Sequence, residues 1–185
     1  MVSRIIKAVE MARAERFLTF TEAGEDWQTI RARMNRIGGD LRQLRGCAWN
    51  VVYFVEPNAR RGQHHVHGLQ WGPFTDEERL SEVASSRGMG KRVQVEPVES
   101  VGAATGYGMK MARRFHPEVG PDAEALRRYL DANGGRLIHA SRGFWRDSSG
   151  RRLGGIREAI SATRGTVRGR WVLLPEEEAD RFGAA

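Results

Sequence analysis

Three histidines stand within four positions of one another in "QHHVHGLQW" (63–71), on a run that alternates as a β-strand does. Residues two apart on a strand share a face, so His65 and His67 point one way while His64 and Val66 point the other. Two imidazoles side by side bind one divalent ion when a third donor arrives. Glu56 ends the strand-like run "CAWNVVYFVE" (47–56), and a hairpin through "PNARRG" would set it beside His65. Two imidazoles and one carboxylate suit Mn²⁺ or Mg²⁺ with phosphate oxygens in the open positions, and zinc would also accept them. Such an ion stays net positive and can polarise a phosphoryl group. An isolated H-x-H is more often a solvated strand face, and the carboxylate on the neighbouring strand lowers the weight of that bland alternative without removing it.

The elements that must position this set are legible as periodicity. The opening "MVSRIIKAVEMARAER" reads as a charged amphipathic helix, without the apolar run and cleavage site of a signal peptide. "RFLTFT" (16–21) is a short strand. A helix over 25–45 carries Trp27, Ile30, Met34, Ile37, Leu41 and Leu44 at helical spacing, with Gly38 and Gly39 as a possible interruption. After the hairpin, Thr75 is the expected cap of a helix running to about Ser86 and ended by "GMG", and "KRVQVEPV" is a fourth strand. Ser100 opens a helix through "YGMK", "PDAEALRRYLDANGG" is another, and the remainder mixes strand, loop and a helical "IREAISA". The order β-α-β-β-α-β with a central hairpin predicts an α+β, ferredoxin-like split unit: an antiparallel sheet with helices on one face and the other face available. With 185 residues, the chain is expected to form a single domain.

Three segments in order, "FLTFT" (17–21), "HVH" (65–67, with Glu56 upstream) and "YGMK" (107–110), resemble the three motifs of HUH endonucleases, in particular rolling-circle replication initiators of plasmids and small single-stranded DNA viruses and phages. "HASRGFW" (139–145) is also similar to a segment of bacterial initiators. The resemblance covers residues 16 to about 146, leaving 147–185 as an extension of unassigned role. It implies Mn²⁺ or Mg²⁺ on Glu56, His65 and His67, and Tyr107 as a nucleophile that becomes linked to a DNA 5′ end. It also implies that Thr19, Phe20 and Thr21 help position DNA while Phe17 packs.

The chemistry suits the residues. A phenol, with a pKa of about 10, is a far better leaving group than a sugar hydroxyl, so a phosphotyrosine link can be reversed by a DNA 3′-OH. On a helix, Tyr107 and Lys110 share a face, with Arg114 continuing the stripe. Lys110 could lower the phenol's pKa or neutralise charge on the phosphate. Of the other tyrosines, Tyr53 lies in a strand apolar on both faces and Tyr129 among helix-packing residues, so both read as core. The flanking Gly106 and Gly108 weaken a helix there or let DNA backbone come close.

Composition points the same way. The net charge is +7 with a pI near 10.4, and only Lys7, Lys91 and Lys110 among 30 basic residues are lysines. Arginine forks suit phosphates, so nucleic acid is the natural partner. Arg60 and Arg61 in the hairpin tip, Lys91 with Arg92, and Arg113 with Arg114 are the expected phosphate contacts. The expected partners are single-stranded origin DNA, with an adjacent hairpin, and a host helicase and polymerase, because no helicase motif is present. The single cysteine, Cys47, suits a reducing compartment, the cytoplasm of a bacterial host or the nucleus of a eukaryotic one. Three alternatives stay open: a single-tyrosine transposase or relaxase with the same chemistry, a non-catalytic nucleic-acid module on an open sheet face, and a small metal-dependent hydrolase.

Overall fold

The structure, a computed structural model, describes residues 2–23, 27–56, 63–73, 75–91, 93–114, 123–136 and 138–163; of these, the side chains of 2–3, 22–23, 27–28, 63–64, 108–114 and 123–126 lie outside the description. In chain order the elements are α1 (Val2–Met11), β1 (Arg16–Ala23), α2 (Trp27–Arg45), β2 (Asn50–Glu56), β3 (Gln63–Trp71), α3 (Glu77–Ser86), β4 (Val93–Pro97), α4 (Val101–Arg114), α5 (Ala123–Ala132), β5 (Ile138–Ala140) and α6 (Ile156–Ala162). The fold is α+β: one open antiparallel sheet in the order β4-β1-β3-β2-β5, with helices against it. The four-strand part, β4-β1-β3-β2, is compatible with the expected split arrangement, and β5 adds a short fifth strand beside β2.

Strand alternation divides the core in two. Leu18 and Phe20 of β1, Val51, Tyr53 and Val55 of β2 and Val66 of β3 face Ile30, Met34, Ile37 and Leu41 of α2, Leu80 and Val83 of α3 and Tyr129 of α5. The opposite face carries Phe17, Val52, Phe54 and Leu69, packed by Ile5, Ala8 and Val9 of α1, Val101 and Ala104 of α4, and Ala159 of α6 with Phe144, Trp145 and Leu153. The expectation of helices on one face only is therefore corrected. A second apolar row on the sheet had to be covered, and α1, α4 and α6 cover most of it.

Other differences have local causes. The α2 helix runs unbroken through Gly38 and Gly39, because its buried stripe on either side holds both halves in line and Trp49 packs 3.3 Å from where a Cβ of Gly38 would lie. Leu44, expected on that stripe, is 51% exposed in the last turn. The α3 cap is Asp76 rather than Thr75: its carboxylate accepts from the Arg79 amide at 2.7 Å, while Thr75 is buried just before it. Ser100 does open α4, its hydroxyl accepting from the Ala103 amide at 3.2 Å. The β4 edge is partly satisfied by side chains of α3, with Ser81 Oγ accepting from the Val93 amide and Glu77 Oε2 from the Val95 amide. Among the described residues, no helix is long and apolar enough to cross a membrane.

Candidate active site

At the open end of the second sheet face, strand register puts the proposed ligands side by side. Glu56 pairs with His65 across β2 and β3, while Thr21 and Thr19 of β1 pair with His65 and His67. Glu56, His65 and His67 thus occupy one face, on adjacent strands, as alternation required. His67 is nearly buried, with its Nε2 2.8 Å from Glu56 Oε2 and its Nδ1 3.3 Å from Thr19 Oγ1. Toward an ionised carboxylate Nε2 can only donate, and a neutral ring so disposed would accept from the Thr19 hydroxyl at Nδ1. The His65 ring lies parallel to that of His67, 6.1 Å between centroids.

The α4 helix crosses this end of the sheet and packs against β2 and β3. It brings Tyr107 edge-on to His67, with ring centroids 5.5 Å apart. Phe17 completes a triangle, stacked on His67 at 5.5 Å and edge-to-face with Tyr107 at 6.2 Å. Close approach between α1 and α4 anchors the start of the tyrosine helix: a Cβ on Gly102 would lie 2.5 Å from Glu10 Oε1. Burial raises the Glu10 carboxyl pKa, against the opposing pull of Lys7.

The sequence-derived site residues divide accordingly. Glu56, His65, His67, Thr19 and Tyr107 come together. Thr21 is half-buried beside His65 in register. Phe20 is corrected: it is fully buried on the opposite face, edge-to-face with Trp49, and cannot reach a ligand on this one. Phe17, expected only to pack, is the aromatic that touches the site, and its spacing of two from Thr19 is the signal that marks it. Lys91 is exposed at the approach to β4. Lys110, Arg113 and Arg114 follow Tyr107 on α4, but their side chains lie outside the described residues, as do Arg60, Arg61 and Arg92 and the side chain of His64. Tyr53 and Tyr129 are core, as elimination required; burial raises both phenol pKa values.

The donors fit a divalent ion in kind. Two ligands each about 2.1 Å from one ion at right angles stand about 3 Å apart, which the 2.8 Å between Glu56 and His67 matches as well as it matches a hydrogen bond. Among the described residues no three such side chains converge as they stand, and His65 would join the pair by turning about its side-chain torsions. No family model, no curated protein and no solved structure matches the chain.

Proposed function

We propose that this chain is a metal-dependent, site-specific single-strand DNA endonuclease and strand transferase, a rolling-circle replication initiator of the HUH type. The observation that carries the reading is the meeting of Phe17, His67 and Tyr107, one from each of three motifs far apart in sequence, in one triangle of ring contacts. The strand order β4-β1-β3-β2 supports a ferredoxin-like core beneath them.

In the proposed reaction Tyr107 Oη attacks the scissile phosphorus. A new phosphorus–oxygen bond forms to the phenol as the bond to the 3′-oxygen breaks. The phenol gives up its proton, the departing 3′-oxygen takes one up, and the 5′-phosphate stays on the enzyme. One phosphodiester replaces another, so a later 3′-OH can reverse the step and join strands. Glu56, His65 and His67 would hold Mn²⁺ or Mg²⁺, which when bound neutralises charge on the phosphate oxygens. Thr19 and Phe17 fix the His67 ring, and position 110 follows Tyr107 by one turn on the same face of α4. A binding module that reads nucleic acid across an open sheet face is less well supported, because helices cover most of both faces.

The test uses labelled single-stranded DNA with an origin-like hairpin and Mn²⁺. The expected product is a covalent protein–DNA band on a denaturing gel, absent with chelator and absent for Tyr107→Phe. A band formed by Tyr107→Phe would move the nucleophile elsewhere, and cleavage that survives chelation would remove the metal from the reading.

A further inference from the structure

A second cationic feature sits at the other end of the sheet. Residues 141–153 turn back on themselves there: Arg146 and Arg152 form an antiparallel bridge, and the Leu153 amide donates to the Trp145 carbonyl at 2.9 Å. Trp71, at the end of β3, fastens this turn. Its indole N–H donates to the Phe144 carbonyl at 2.9 Å, and the Arg146 guanidinium lies 3.9 Å over its ring. Arg152 Nε donates to the Arg142 main-chain carbonyl at 3.2 Å, so Arg142, which is exposed, belongs to the same turn as the paired Arg146 and Arg152.

Like charges directly opposite one another on paired strands destabilise the pairing, yet Arg146 and Arg152 are so placed. The turn's own acid does not compensate them. Asp147 is spent inside the turn, accepting from Ser149 N and Oγ and from Arg151 N and Nε. Among the described residues no carboxylate pairs with Arg142, Arg146 or Arg152, and Arg146 Nε is buried without a hydrogen-bond partner.

From this we infer that the 141–153 turn is a second nucleic-acid contact, separate from the nicking site, that grips the phosphate backbone of double-stranded DNA. Duplex is the better fit than single strand because bases of a single strand stack on aromatic faces, and here Arg146 lies over Trp71 while Phe144 and Trp145 are buried. Trp71 and His65 share a sheet face, six strand residues apart, which is about 20 Å. With about 3.4 Å per base pair, the turn would meet duplex roughly six base pairs from the cut. The choice of DNA as the polyanion rests on the proposed function; the uncompensated arginines do not.

Duplex binding by fluorescence anisotropy, titrated with salt, tests it. Arg142→Ala with Arg152→Ala should weaken duplex binding and make the slope of log K against log salt shallower by about 2, at about 0.9 for each phosphate no longer neutralised. Arg152→Lys alone should keep the slope, and removing Arg36 and Arg42, equally exposed on α2, should leave binding nearly unchanged. An unchanged slope in the double variant overturns the inference, as does an equal loss in the α2 control or an equal loss on unpaired single strand. Covalent adduct formation on a short single strand is read in parallel. Its absence in every protein sinks the nicking reading alone, and its persistence beside an unaltered duplex slope sinks this inference alone.

Discussion

His67 is held at both ring nitrogens, by Glu56 on one side and Thr19 on the other. That makes Thr19 more than a strand residue. With Nε2 given to an ion, the ring proton sits on Nδ1, where Thr19 Oγ1 can accept it and fix the ring's orientation. Outer-shell partners of this sort contribute roughly 10–100-fold to metal affinity. Thr19→Val should therefore weaken Mn²⁺ binding by that factor in calorimetry, while Thr19→Ser, which keeps the hydroxyl, should retain it. Equal affinity in all three proteins would reduce Thr19 to packing. The residues of this cluster are legible in the sequence because alternation by two is rigid: it assigns His65, His67 and Glu56 to one face and Tyr53 to the other. The same rule places Phe17 beside Thr19 and buries Phe20. The resemblance credits the motif as a block, and a block does not distinguish its faces.

At the scale of elements, two glycines of ordinary appearance should behave oppositely. Gly39 lies in the interior of α2, exposed to solvent, and a Cβ added there would meet nothing within 4 Å. Gly39→Ala should stabilise the protein by about 0.5–1 kcal/mol, the helix-propensity difference, and raise the melting temperature by a few degrees. Gly90 precedes β4, and its amide donates to the Thr21 carbonyl at 2.6 Å. A Cβ there would fall 2.1 Å from that same backbone oxygen. Gly90→Ala should cost roughly 1–3 kcal/mol in chemical denaturation, since backbone cannot yield as a side-chain tip can. Periodicity locates most of the elements around these positions, but a glycine's effect depends on what stands opposite its missing Cβ. The expected break in α2 does not occur for the same reason: local propensity is small beside a continuous buried stripe. The cap moves from Thr75 to Asp76 because both residue types cap well, and only backbone geometry chooses between neighbours.

For the molecule as a whole, the second helical layer is the part least legible in the sequence, because α1 and α6 bury small and aliphatic residues whose partners lie far along the chain. Short β5 is hidden for a similar reason, since three residues carry little periodicity. It nevertheless delivers a buried polar group into the first core. His139 stacks on Tyr53 at 5.2 Å, and its Nε2 lies 2.8 Å from Tyr129 Oη. Burial, then the nearby Arg31 and Arg136 charges, lower its pKa from 6.5 to about 4, against a hydrogen bond with the Arg136 backbone. The folded protein thus keeps His139 neutral where the unfolded chain would protonate it. Below pH 6.5 the unfolded state binds the extra proton, so stability present at higher pH is lost as pH falls from 6.5 toward 4, by up to about 1.4 kcal/mol per unit for this one proton. Asp147 titrates in a lower window: hydrogen bonds from Ser149 and Arg151 hold it down from 3.8 to about 2, so its contribution persists above 3.8 and fades beneath. Denaturant titrations at pH 7, 6, 5 and 4.5 should therefore show a declining stability that His139→Gln flattens, even though the variant starts lower at pH 7 for want of its packing. An identical decline in both proteins would mean that the buried Tyr53–His139–Tyr129 cluster does not govern the acid side of the stability curve.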